Sequence, residues 1–350
     1  MTRRKLFIPG PTEVRPEILA AMATPLIGHR GAECRDLVRR IVEKLRPVFG
    51  TQGLALFETC PATALMEASM RNLVHERALV LTCGAFSERW HEIALACGKE
   101  ADALPVEWGK PNRADELGEV LRSRRYDVVT ITHNETSTGV LNPLRELAAV
   151  ARKHDCLVLV DAVSSLGGAP IDFDANGLDF CFAGTQKCLA VPPGLTVFAL
   201  STRAVERAAR QKHRGWMFDF VRAAKSFEKF ETLATPSLSH LFALDAQLDA
   251  ILKETLPARF ARHRAMAERV WSWAEERGLE MFSEAGFRSP SISCIRLGPH
   301  APETLANRAK AAGFVLGDGY GQAKTTTFRI GHMGDHDLAS VGALLAALDG

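Results

Sequence analysis

From Cys34 to Gly50 apolar residues recur at Leu37, Ile41, Leu45 and Val48, one face of a helix, and Gly50 stands where a C-terminal cap belongs. Beyond it, short apolar runs alternate with helical periodicity. Leu54 to Phe57 precedes a helix from about Ala62, Ala78 to Leu81 one from about Ser87, and Asp127 to Ile131 one from about Pro143. Cys156 to Val160, Asp179 to Phe182 and Leu195 to Leu200 add three further runs. These runs are continuous, as in Leu157-Val158-Leu159-Val160, which is what a sheet buried on both faces requires. The alternation predicts an α/β fold: a large domain with a mostly parallel sheet between helices. Past about residue 250 the texture changes to a long helical stretch (Ala258 to Arg277), strand-like Ser291 to Arg296, a helix from Pro302 to Ala312, a strand from Thr327 to Ile330 and a final helix. That part reads as a smaller C-terminal α+β domain. The expected division is an N-terminal arm over residues 1–20, the large domain over 21–250 and the small one over 251–350.

Polar residues should then gather at the strand ends. Glu58-Thr59, Thr82, His133-Asn134-Glu135, Asp161 and Thr185-Gln186-Lys187 do so. In an open α/β sheet the ligand crevice lies outside the carboxyl ends of the strands, so the site is located before any motif is considered.

Composition narrows the classes. The 350 residues exceed one average domain, and 47% apolar with 24% charged residues is an ordinary globular balance, not a disordered or fibrous one. Forty-three Lys plus Arg stand against 41 Asp plus Glu, so no electrostatic case for nucleic acid arises. Apolar stretches such as Val341 to Leu348 are too short to span a bilayer, and Pro9-Gly10-Pro11 interrupts Leu6-Phe7-Ile8 before a secretory segment can form. The eight cysteines show no CxxC pairs, which suits free thiols in a reducing cytoplasm. His332, His336, Asp335 and Asp337 lie close in sequence, but Asp335 before a helix reads as an N-cap, and no metal is expected. Gly317-Asp318-Gly319-Tyr320-Gly321 lacks dinucleotide-loop spacing.

Asp161 ends a buried run, and Lys187 follows the next one, so opposite charges reach one crevice. Alone they could be an ion pair. Pyridoxal phosphate enzymes need this combination: an amine to bind the cofactor aldehyde, and a carboxylate to keep the pyridine nitrogen protonated.

Pro9-Gly10-Pro11-Thr12, Gly84-Ala85-Phe86-Ser87-Glu88-Arg89-Trp90, His133-Asn134-Glu135-Thr136-Ser137-Thr138-Gly139-Val140, Asp161-Ala162-Val163-Ser164-Ser165-Leu166-Gly167-Gly168, Gly184-Thr185-Gln186-Lys187, Pro192-Pro193-Gly194 and Phe328-Arg329-Ile330-Gly331 span nearly the whole chain. Together they resemble the class V aminotransferases of the pyridoxal phosphate fold type I superfamily, most of all the alanine-glyoxylate and serine-glyoxylate (serine-pyruvate) aminotransferases. The resemblance implies transamination between a small amino acid, alanine or serine, and a 2-oxo acid, glyoxylate or pyruvate. It makes Lys187 the Schiff-base lysine and Asp161 the partner of the ring nitrogen. Phe86 and Val163 would pack on the ring, Val163 because strand alternation puts it on the face of Asp161. Thr136 would lie near the ring hydroxyl, and Gln186, Ala62 and Thr63 on the phosphate side, with Pro61 at the first helical position. Arg329 would clamp the α-carboxylate, and Gly10 and Pro11 would line the pocket from the arm. Thr232 and Thr235 resemble a segment inserted into a neighbour's phosphate site, which implies a homodimer with shared sites; Thr235 reads equally well as a helix cap. A 2-aminoethylphosphonate transaminase, a cysteine desulfurase-like lyase and a non-catalytic binding protein remain alternatives on the same scaffold.

Overall fold

Apolar runs with no polar alternation can be satisfied only side by side under cover, and the computed structural model, which describes residues 4–298 and 302–350, arranges them so. A seven-stranded sheet has the order Leu54–Glu58, Thr196–Leu200, Phe180–Gly184, Leu157–Asp161, Val128–Thr132, Arg77–Thr82 and Glu100–Pro105. Thr196–Leu200 runs against its two neighbours, and every other pairing is parallel. Thr196 pairs with Glu58 on one side and Gly184 on the other, so its amino end lies on the edge where the remaining strands finish. Helices Ala62–Leu73, Ala85–Ala96 and Leu144–Lys153 pack against this sheet. The helix expected over Cys34 to Gly50 spans Ala32–Phe49, and Gly50, at φ 71°, is its left-handed C-cap, a conformation glycine adopts at low cost.

A second sheet has the order Lys5–Phe7, Phe314–Asp318, Thr327–Gly331 and Ile292–Arg296. Its first member comes from the N-terminal arm and pairs in parallel with Phe314–Asp318. The apolar core divides accordingly. One cluster runs from Ile18 to Ile251 around the large sheet; the other joins Phe7 to Met266, Trp273, Ile330 and Leu344 beneath the small one. The first three residues of the arm lie outside the described residues.

The turn before the last helix departs from expectation. Asp335 is not the cap of Leu338–Asp349. Asp337 is: its carboxylate accepts from Ser340 N at 2.7 Å, and Ser340 Oγ accepts from Asp337 N at 3.1 Å. Asp335 instead accepts from Arg15 Nε at 2.8 Å and from Arg259 Nη1 at 3.0 Å, and so ties the arm to the long helix Leu256–Glu276. A buried guanidinium outcompetes a solvent-facing cap for that carboxylate, because Arg259 is only 1% exposed and its charge needs a partner.

Candidate active site

Where the parallel strands end, a cavity of about 280 Å³ opens. Gly10 and Pro11 of the arm, Ala62 and Thr63 at the head of their helix, and Phe86 line it. Thr136, Asp161, Val163, Gln186 and Lys187 complete the set of sequence-expected residues in its wall.

Asp161 is the last residue of its strand and 3% exposed. One carboxylate oxygen accepts from Val163 N at 2.8 Å, its one side-chain hydrogen bond among the described residues. Burial pushes the Asp161 carboxyl up to about 7, against the pull of that N–H. Lys187 follows strand Phe180–Gly184 by three residues, and its amine donates to the Pro9 carbonyl. Burial lowers the Lys187 amine to about 8, and the nearby Arg329 charge acts in the same direction. Gly10, at φ +119°, lies against this side chain: a Cβ there would stand 2.6 Å from Lys187 Cδ and Cε, so residue 10 has to be glycine.

Two local details differ from expectation. Val163 lies in a turn past the end of its strand, so its place in the wall comes from that turn and not from strand alternation. Pro61 is the N-cap of Ala62–Leu73, with ψ 149° in the extended region, and not the first helical residue. Ala62 and Thr63 therefore supply the first two amides of the helix, groups with no intrahelical partner and no side-chain cap.

Three of the expected residues are not in the wall. Arg329, 7% exposed, lies just behind it, donating from Nη1 to the Thr136 carbonyl at 3.1 Å and from Nε to the Asp318 carbonyl at 2.8 Å. Thr232 turns its hydroxyl onto the Ala234 carbonyl at 2.8 Å, and the exposed Thr235 hydroxyl is 3.5 Å from His29 Nε2. Neither reaches the cavity of its own chain.

Sequence reasoning placed Glu135 at a strand end but assigned no role to Glu135, Arg89 or Tyr320. Glu135 is fully buried and fastens the N-terminus of the helix that bears Phe86, accepting from Phe86 N at 3.2 Å, Ser87 N at 3.0 Å and Ser137 Oγ at 2.6 Å. Gly84 makes room for it, since a Cβ there would meet Glu135 Cγ at 2.5 Å. Arg89 lines the cavity one helical turn beyond Phe86, a spacing that was readable as a shared face. Tyr320 stacks on Phe86 at 5.4 Å between centroids and comes from the glycine-rich stretch set aside as a failed motif; no local signal marked it.

The donor set fits pyridoxal phosphate: a desolvated amine, a buried carboxylate with one oxygen unengaged, and unpaired helix amides for an anion meet in one cavity. Thiol chemistry finds no support among the described residues. Every cysteine but Cys97 is buried, and burial pushes the Cys294 thiol in strand Ile292–Arg296 up to about 11.

Comparison with known proteins gives the same direction. The family profile described as aminotransferase class-V matches residues 27–316. A Methanocaldococcus jannaschii protein, named an uncharacterized aminotransferase, is 36% identical, covering 99% of this chain and 92% of its own length. The L-aspartate–glyoxylate aminotransferase of Paracoccus denitrificans is 30% identical over 95% of this chain and 87% of the relative. The crystal structure of an alanine–glyoxylate aminotransferase from Nostoc superposes with a TM-score of 0.95 at 30% identity, covering 100% of this chain and 95% of that one.

Proposed function

The chain belongs to the class V aminotransferases, and on that premise we propose that it moves the amino group of a small amino acid, alanine or serine, to glyoxylate or pyruvate. The observation that carries this reading is the meeting of Lys187 and Asp161 in one cavity headed by the amides of Ala62 and Thr63. Glyoxylate stands in the names of both the Paracoccus relative and the Nostoc structure, while their donors differ, which supports the acceptor more firmly than the donor.

Pyridoxal phosphate is the cofactor, and when bound it supplies an aldehyde that takes up the amino group and a ring that draws electron density from the α-carbon. In the proposed mechanism Asp161 holds the ring nitrogen in its charged form, which a carboxylate in a dry wall does strongly. Lys187 would anchor the cofactor, and its amine, when free, would act as the general base that takes the proton from the substrate α-carbon and as the general acid that gives one back. An amine lowered to about 8 is partly unprotonated near neutral pH, as a general base requires. Arg329 holds the α-carboxylate with its remaining donors. Thr136 orients the ring hydroxyl, Phe86 and Val163 exclude water from the ring, and Gln186 with the Ala62 and Thr63 amides receives the phosphate. Thr232 and Thr235, turned away from their own cavity, are assigned to that of a second copy, so the working unit is a homodimer.

The test is spectroscopic and covalent. Alanine or serine should bleach the visible absorbance of the loaded protein, glyoxylate or pyruvate should restore it, and borohydride should fix a pyridoxyl group on Lys187. Lys187→Ala should lower transamination at least about a thousandfold. A borohydride adduct on another residue, or exchange that survives Lys187→Ala, would rule the assignment out.

A further inference from the structure

Thr136 stands in the cavity wall, and behind it, outside the wall, lies Ser164, three positions past Asp161 and 1% exposed. Their hydroxyl oxygens are 2.6 Å apart, and each hydroxyl is the other's one hydrogen-bond partner among the described residues. Ser164 is not free to turn away. Its carbonyl accepts from Asn134 Nδ2 at 2.8 Å, from Ser291 Oγ at 2.6 Å and from the Cys188 thiol at 3.4 Å. The segment that carries Thr136, the approach to strand Ile292–Arg296 and the residue after Lys187 thus all hold it in place. One proton lies between the two hydroxyl oxygens, and burial decides whose it is. If Thr136 donated, the Ser164 proton would be buried with no acceptor, which is costly. Ser164 therefore donates, and the Thr136 proton, for which no protein oxygen among the described residues competes, is left for an acceptor in the cavity. A hydroxyl that accepts one hydrogen bond is polarised into a better donor of the next.

We infer that Ser164 is a positioning residue: by donating to the Thr136 hydroxyl it commits that hydroxyl to donate into the cavity, to the ring oxygen of the cofactor. This rests on the cofactor placement proposed above and adds to it a residue that touches neither cofactor nor substrate. The competing acceptor is the substrate carboxylate, because Arg329, assigned to that group, bonds the Thr136 carbonyl. The ring is favoured because Ser164 directly follows Asp161 and Val163, which stand in the same wall and are assigned to the ring. A bond donated to the ring oxygen draws negative charge away from the nitrogen that joins Lys187 to the cofactor, and so favours that nitrogen unprotonated.

The pH midpoint of the visible absorbance of the loaded protein, recorded without substrate, reads this effect. Asp161, Cys188 and Arg329 face the Lys187 nitrogen, Glu135 and Arg89 act on Asp161, and the variants change none of them. Thr136→Val should raise the midpoint by up to about one pH unit, the worth of one hydrogen bond, while Thr136→Ser, which keeps the hydroxyl, should stay near the parent. Ser164→Ala should raise it by about half a pH unit. Added to Thr136→Val, Ser164→Ala should change nothing further, since the hydroxyl through which it acts is already gone. Cofactor affinity, measured by equilibrium dialysis, should weaken about threefold in Ser164→Ala alone and not when that change is added to Thr136→Val. A midpoint unmoved in Thr136→Val or in Ser164→Ala overturns the inference and leaves the cofactor placement standing. So does a midpoint that Ser164→Ala moves equally with and without the Thr136 hydroxyl, which would make Ser164 merely structural. Unmoved midpoints with a raised KM for the amino donor would overturn it by assigning the Thr136 hydroxyl to substrate. A parent with no visible absorbance and no borohydride adduct on Lys187 would overturn both the inference and the reading beneath it.

Discussion

Glu58 closes the first strand of the large sheet with 8% of its surface exposed, and no cation among the described residues pairs with it. Burial pushes its carboxyl up to about 7, opposed by the Thr59 amide. A raised carboxyl favours the folded state while it is protonated, so that contribution is complete below about pH 4.5 and disappears as pH climbs through 7. Glu58→Gln should therefore match the parent in stability at pH 4 and exceed it by about 1 to 3 kcal/mol at pH 8, read from urea unfolding at each pH. A difference that does not change with pH would mean the carboxylate is solvated in the folded chain. Residue chemistry was the most legible level. Asp161 and Lys187 could be read because each interrupts apolar sequence at a strand end. Arg89 could be placed beside Phe86 by its spacing but its contact with Tyr320 could not, and what Glu135 does could not, because the Phe86 helix is remote from it in sequence.

Elements were readable where burial wrote itself into the pattern and opaque elsewhere. Strands Val128–Thr132 and Leu157–Asp161 are buried throughout and stand out as apolar runs. Glu100–Pro105 sits at the sheet edge, carries Glu100 and Asp102, and was missed because solvent removes the apolar requirement. The final turn shows a finer limit. Two aspartates stand two positions apart, and only the neighbouring helices decide which one caps. Asp337→Ala should cost about 1 kcal/mol, the usual value of an N-cap. Asp335→Asn should cost about 1.5 to 3 kcal/mol, since Arg15 and Arg259 lose a charged partner while Glu254 still compensates the buried Arg259 charge. Equal losses in denaturant melts would return the two residues to interchangeable roles.

On the scale of the whole molecule, the fold class was open to reading because strand and helix alternate over the large sheet, while the route of the arm was not. A three-residue strand carries too little pattern to announce a partner more than three hundred positions away. Gly331 records that route: a Cβ there would stand 2.1 Å from the Ile8 carbonyl. Gly331→Ala should displace the arm, and deletion through Phe7 should expose the small sheet's apolar face, so both should lower the melting temperature and increase dye binding. An unchanged melt would mean the arm is dispensable. No helix among the described residues is long and apolar enough to cross a membrane. The pairing of Lys5–Phe7 with Phe314–Asp318 also has a consequence for biosynthesis. On the ribosome, Lys5–Phe7 must wait, unpaired, until the more than three hundred residues up to its partner have emerged, so the large unit can collapse early while the arm, and with it the Gly10 wall of the cavity, is put in place later.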